Sequence, residues 1–548
     1  MLLAIVLVLA VIFLTPLLFP PAPPVTPPEF APARQASDTV RPSDSAGVTR
    51  SALAAPAPEA ATDAPLVAEA VSVEDTLAGF RFLNVGAVLE QVDLKSYRAL
   101  GKRDGHVVLR DGAAPLLSFE VLADGDTLGF RKAAFHLAGR ESAGKTTRLT
   151  FLGVRGGDSL LLTFAVVADS YLVHIDGRLA GSRTLQSRSL FVLAELAPTL
   201  QSNEADTLDD QRHLAFAVEA EKRDARGIGF GKLDPGEREV HPGPHKWVAL
   251  KSKYFIIGLL ARPSGSPIAE FSVQGLPRLG KLATQARGVA VLQPQQGTFA
   301  VDVYAGPQQW RRLQAVGRDF INSNPYGGFL QPVVQPFAVL VMRILLWMHE
   351  VLKLDYGWVL VVFGVAVRVV LWPLNQRAMR TSIKMQRIQP ELAELQKRYK
   401  SDPQRLQAEM MRLYKEHGMS PFSMFSGCLP LLLPMPVLIA LFFVFQSTIE
   451  FRGVSFLWLA DISQKDPYYI LPVLMGASMY VLSWIGSRNT PPNPQTKMMM
   501  YLFPAMMTFL LANLASGLNL YYTVQNLAAL PQQWIIANER ARAVQVKK

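Results

Sequence analysis

The stretch Trp358 to Leu374, WVLVVFGVAVRVVLWPL, decides what kind of chain this is. It is apolar except for one charge, Arg368, and at ~1.5 Å per residue a helix of this length about spans the ~30 Å hydrocarbon layer of a bilayer. Four further apolar stretches follow it: Leu429 to Thr448, Tyr468 to Ile485, Met498 to Ala512 and Leu518 to Ile536. With the uncharged run from Met1 to Phe19, that makes six expected crossings. Half of the 548 residues are hydrophobic, too large a share for an ordinary soluble protein of this size.

Charge sets the orientation. Between Leu374 and Leu429 the basic residues, among them Arg377, Arg380, Lys384, Arg387, Arg398, Arg405, Arg412 and Lys415, outnumber the acidic ones, which places this loop in the cytoplasm. The same loop reads as a helical hairpin over residues 376–418. Met379, Ile383, Ile388, Leu392, Leu395 and Tyr399 form one apolar stripe and Leu406, Met410, Leu413 and Tyr414 another. Asp402 before Pro403 supplies the N-cap of the second arm. The basic face suits ribosomal RNA or anionic lipid, and positive-inside bias alone also explains it. Counting crossings returns the basic tail, residues 537–548, to the cytoplasm and puts the loop after Thr448 outside.

The N-terminal half differs in kind. Residues 1–19 are expected to be an uncleaved anchor, with a signal peptide as the rival reading. Residues 20–74 are rich in Pro, Ala, Ser and Thr and read as a flexible tether. From Asp75, short alternating runs closed by Gly, Asp and Pro predict antiparallel strands. Tyr171, Val173 and Ile175 alternate with Leu172, His174 and Asp176, and Val301 and Val303 with Asp302 and Tyr304. A large extracytoplasmic β-sandwich over residues 75–320 is the expected result. Residues 333–353, interrupted by Arg343 and Trp347, fit an interfacial amphipathic helix better than a span. A single cysteine, Cys428, leaves no intramolecular disulfide to staple any of this.

No enzyme motif accompanies the sandwich: its histidines lack metal-ligand spacing, and neither GxSxG nor SxxK occurs. No inverted repeat of the kind that builds solute transporters is visible. Within the spans the costly residue is Arg368, since an arginine at bilayer depth costs at least ~2.5–3.5 kcal/mol. Two readings compete. The guanidinium either snorkels towards the nearby helix end or faces a wet groove that receives polar parts of a substrate. Gln446, Ser483, Asn513, Ser516, Asn519, Gln525, Asn526 and Gln532 supply polar candidates for such a groove, although singly each also suits an interhelical hydrogen bond. The methionines of the later spans, including Met435, Met475, Met479, Met506 and Met507, suit either an adaptable substrate surface or ordinary packing.

Arg368 followed by TrpProLeu, the hairpin motifs IleGlnProGluLeu and GluMetMetArgLeuTyrLysGlu, GlyCysLeuPro, AspProTyrTyrIleLeuPro and SerGlyLeuAsnLeuTyrTyr together resemble the YidC/Oxa/Alb family of membrane protein insertases. The likeness runs from Tyr356 to Trp534. It implies an insertase core over residues 356–536 with five transmembrane helices, preceded by the N-terminal anchor and a periplasmic all-β supersandwich, in a multi-pass protein of the bacterial inner membrane. It also implies a cytoplasm-open groove in which Arg368 and Tyr522 meet the substrate, while Leu432, Met435, Leu438, Met507 and Leu510 guide its apolar helix. Gln446 joins the groove set on polarity alone. Nascent membrane proteins, lipids, the ribosome and the Sec translocon are the implied partners, with no nucleic acid beyond ribosomal RNA. Neither cofactor, metal, small-molecule substrate nor enzymatic step is implied. SerProPheSerMetPheSerGlyCys, residues 420–428, is longer than the family pattern, and Pro434 stands where many members carry Gln.

Overall fold

The computed structural model describes residues 68–101, 105–110, 114–263, 265–278, 280–324, 331–399, 402–416, 435–488 and 494–545. The expected anchor, most of the tether, Leu432 and the segment joining the hairpin to the next span lie outside the described residues.

Alternating apolar residues between turn signals build an antiparallel strand system over residues 70–307, in two layers. One layer runs from Phe135–Ala143 through Thr146–Arg155, Asp158–Val167, Leu172–Gly181 and Thr298–Pro307 to Phe255–Ala261. The other runs from Ala70–Glu74 through Ala78–Leu83, Val88–Arg98, Leu117–Ala123, Leu190–Leu196 and Ala286–Leu292 to Ile268–Gly275. The long strand Arg238–Lys251 joins them: its first half pairs with Ile268–Gly275 and its second with Phe255–Ala261. Ala215–Ala220 pairs with Arg238–Lys251. Aromatic pairs then fill the core, Phe82 to Phe164 at 4.9 Å and Phe119 to Phe299 at 5.7 Å between the layers, and Phe216 of Ala215–Ala220 to Phe271 at 5.4 Å between ring centroids. These rings lie in one continuous buried core, so the β domain needs no disulfide.

Two details depart from the sequence reading. Ala70–Glu74, assigned to the tether, is a strand paired with Ala78–Leu83, because Val73 turns into the core. Asp302 and Tyr304, expected on the solvent side, are both 1% exposed. Asp302 accepts hydrogen bonds from Arg262 and Arg318 at 2.5 Å and meets His174 Nδ1 at 2.6 Å, so three basic side chains cover its face of the strand. Burial alone would raise its pKa; the bonds from His174, Arg318 and Arg262 hold it well below the usual carboxylate range. Tyr304 donates to the Pro307 carbonyl at 2.7 Å beneath Phe320.

The C-terminal half is helical. We label Gln331–Leu352 α1, Tyr356–Arg398 α2, Pro403–Glu416 α3, Met435–Ser447 α4, Ile470–Ser487 α5, Pro494–Leu511 α6 and Ser516–Gln545 α7. The first span and the first hairpin arm are one helix, α2, which continues through Pro373. Its far end folds against α3 through Ile388, Leu392, Leu413 and Tyr414; the side chains of Met379 and Ile383 lie outside the described residues. Asp402 caps α3, accepting from the Arg405 N–H at 3.1 Å. Among the described residues, α1, the first half of α2 (Tyr356–Gln376) and α5 are long and apolar enough to cross a membrane, while α4 and Met500–Leu511 are shorter apolar helices. Residues 333–353, read as an interfacial helix, fall almost wholly in α1, which therefore meets the same length and hydropathy test. α1 buries Val334, Ala338, Val341, Met342, Leu345 and Leu346 and exposes Leu340 and Trp347. α7 falls short in hydropathy because Asn519, Gln525, Asn526, Gln532 and Gln533 punctuate it, all of them buried.

The turn after α4 ties the two halves together. Arg452 reaches the β domain and donates through Nε to both oxygens of Glu204 at 2.8 and 2.9 Å, with both side chains at most 5% exposed. Glu450 Oε1 accepts the Trp310 N–H at 2.8 Å.

Candidate functional site: a half-buried arginine held by an amide

Arg368 lies about 18 Å along α2 from Tyr356, by helical rise. Its guanidinium turns towards α7, where Nη2 donates to Gln532 Oε1 at 3.0 Å. Gln532, 1% exposed, donates through Nε2 to the Trp372 carbonyl at 3.0 Å and to Gln376 Oε1 at 3.2 Å. The arginine therefore points into the bundle, and a snorkel along the lipid face is not its conformation. Among the described residues no carboxylate pairs with it, and Arg368 Nε and Asn375 Nδ2 are buried without a hydrogen-bond partner. One hydrogen bond to a neutral amide returns ~1.5–3 kcal/mol, comparable to the lowest cost of placing the charge at bilayer depth and short of the higher ones. The charge is thus left with a buried donor whose hydrogen-bonding capacity is unused.

Close helix packing makes this possible. Gly364 lets α7 approach α2, because a Cβ there would lie 3.0 Å from Val524 Cγ1. Gln525 Nε2 seals the contact by donating to the Gly364 carbonyl at 3.1 Å and to the Tyr521 hydroxyl at 3.0 Å. Asn526 Nδ2 ties α7 to α5 through Ser478 Oγ at 3.1 Å, and Asn519 Nδ2 donates to the Leu511 carbonyl at 3.0 Å. Ser516 Oγ donates to the Ile462 carbonyl at 3.3 Å. Of the polar candidates, Gln532 alone bonds to Arg368 among the described residues; Ser483 is only half-buried.

The structure separates Gln446 from this set. It lies at the end of α4 nearest the β domain and lines a different cavity of about 330 Å³, shared with Asp206, Asp209, Lys253, Ser463 and Asn513. Tyr522 is half-buried on α7, about 15 Å before Gln532 by helical rise. Met435, Leu438 and Met507 are also half-buried, and Leu510 is exposed beside Met506 and Phe509, so α6 presents an apolar outer face. Met475 and Met479 are buried packing residues. In the β domain no described group of His, Cys, Asp and Glu could hold a metal.

Comparison with known proteins follows the same division. A family model described as the YidC periplasmic domain matches residues 70–340, and one described as the 60Kd inner membrane protein matches residues 347–543. A "Membrane protein insertase YidC" of Chlorobium phaeovibrioides is 30% identical over 429 residues, covering 74% of this chain and 71% of the relative. One of Pelodictyon phaeoclathratiforme is 31% identical over 412 residues, covering 70% and 67%. A crystal structure described as an active YidC insertase with its first transmembrane domain resolved shares 19% identity, with coverage of 85% and 92% and a TM-score of 0.35.

Proposed function

This chain belongs to the YidC family of membrane protein insertases, and from that premise we propose that Arg368 is the receiving point of a hydrophilic groove for incoming membrane proteins. The protein is a multi-pass inner-membrane protein with a large β-rich periplasmic domain, and it works as a membrane protein insertase. The observation that carries the finer reading is a guanidinium held by Gln532 with Nε buried and unmet. In this reading the hairpin of α2 and α3 lies in the cytoplasm and the groove opens on that side. The hydrophilic flank of a substrate enters the groove and exchanges its hydration for the guanidinium and neighbouring amides. Acidic flanks gain most, because the charge they meet has no carboxylate partner among the described residues. The substrate's apolar helix then slides into lipid along Met435 and Leu438 of α4 and Met507 and Leu510 of α6, with Leu432 completing the path, while Tyr522 meets the hydrophilic part in the groove.

The driving force is burial of substrate apolar surface in lipid, at ~25 cal/mol per Å², so neither nucleotide nor metal enters the scheme. Six crossings, the N-terminal anchor among them, and an α1 that lies along the periplasmic interface complete the proposed topology. Ribosome contact through the cytoplasmic loops, work beside the Sec translocon and a chaperone role for folding membrane proteins belong to the same reading. Replacing Arg368 with Ala or Lys and measuring insertion into vesicles tests it. Insertion of substrates with short acidic tails is expected to fall at least tenfold in R368A and to recover substantially in R368K. Unchanged insertion of every substrate by R368A would overturn the groove role.

A further inference from the structure

At the hairpin end of the bundle, Arg488 closes α5 and stacks on two indole rings. Its Cζ lies 4.5 Å from the centroid of Trp484 and 5.4 Å from that of Trp534, which belongs to α7. Both rings face outward, Trp484 43% and Trp534 49% exposed, and Arg488 itself is exposed. Among the described residues the guanidinium has no hydrogen bond or ion pair, and neither indole N–H has an acceptor. A basic residue at a helix C-terminus is favoured by the helix dipole, which explains a charge there but not its position between the rings of two helices. Stacking fixes the plane of the guanidinium and leaves its N–H edge free.

The surroundings identify the missing acceptor. The same two helices expose Val473, Leu474 and Val481 on α5 and Leu527 and Ile535 on α7, all more than a third exposed. These surfaces meet acyl chains, and the two tryptophans lie where such a surface gives way to headgroups. We propose that Arg488, clamped by Trp484 and Trp534, binds the phosphate of an anionic phospholipid. The position of the site adds a consequence. Trp534 follows Gln532 by two residues, so a lipid seated here braces the stretch of α7 that holds Arg368. The inference rests on α5 and α7 spanning a membrane and is independent of whether Arg368 receives substrate.

Native mass spectrometry of the delipidated full-length protein, titrated with phosphatidylglycerol or phosphatidylcholine, tests the site. R488Q is expected to weaken the tightest phosphatidylglycerol binding about tenfold, the loss of one charge-assisted contact, and to leave phosphatidylcholine binding unchanged. R488K is expected to recover part of the difference, and W484L with W534L to reproduce the loss with the charge still present. Thermal melting of R488Q matching the parent keeps the comparison free of misfolding. Equal phosphatidylglycerol binding by R488Q and the parent overturns the proposal, as does parallel loss of both lipids. Displacement of the lipid by millimolar inorganic phosphate overturns the lipid assignment.

Discussion

At the scale of single residues, the hydrogen bonds of Gln532 give Arg368 its direction. Its amide accepts from the guanidinium and donates to Trp372 and Gln376 one turn or more further along α2, so both ends of the amide are used. Replacing Gln532 with Glu converts the neutral partner into a competing carboxylate. We expect Q532E to fold and to insert acidic-tailed substrates several-fold more slowly, while substrates with uncharged tails change less. Equal rates for acidic tails in an insertion assay with Q532E would show that Gln532 does not position the receiving charge. Arg368 was legible in the sequence because a lone charge in an apolar run stands out on cost alone. Its pairing with Gln532 was not, since the partners are separated by 164 positions and meet only when α2 and α7 pack. Gln446 shows the converse case. Polarity marked it, but its depth along α4 puts it beside the β domain.

Among the elements, continuity is what local patterns conceal. The end of the first span was read at the TrpProLeu motif, yet α2 continues for another six turns into the hairpin. Pro373 lacks an N–H and leaves the Val369 carbonyl without its helical partner; the apolar stripe and the contact with α3 outweigh that loss. The short turn Ile449–Phe451 carries a different consequence. Burial pushes Glu450 from an ordinary 4.5 up to about 7, against the lowering effect of the Trp310 N–H. A carboxyl whose native pKa is raised holds its proton better in the folded state. Its stabilising contribution is therefore complete below about pH 4.5, declines as pH rises towards 7 and is absent above that, a change of up to about 3 kcal/mol. Thermal unfolding of the full chain at pH 5.5 and pH 8 checks this. E450Q is expected to be the more stable protein at pH 8 and to lose much of the pH dependence; an undiminished pH dependence in E450Q would contradict the assignment.

Over the whole molecule, a disulfide-free β-sandwich is fixed to a helical bundle by the Arg452–Glu204 pair and the Glu450–Trp310 bond. The sandwich was legible because strand alternation is local, as at Tyr171, Val173 and Ile175, which are all buried. The joint was not, because Glu204 lies in a segment between strands and pairs across 248 positions. In the proposed scheme substrate arrives at the opposite end of the bundle, with Arg368, Gln532 and the hairpin. That scheme requires the polar route past Arg368 and the apolar route along α4 and α6 to act on one substrate at different points of its sequence. Photoreactive residues placed singly at Tyr522, Met435 and Met507, with Trp484 as an outward-facing control, can report this on stalled nascent chains of one membrane protein. The expected result is crosslinking of the hydrophilic tail to position 522 and of the apolar segment to positions 435 and 507, with the tail crosslink lost in R368A. Equal crosslinking at position 484, or a tail crosslink indifferent to R368A, would contradict a groove organised around Arg368.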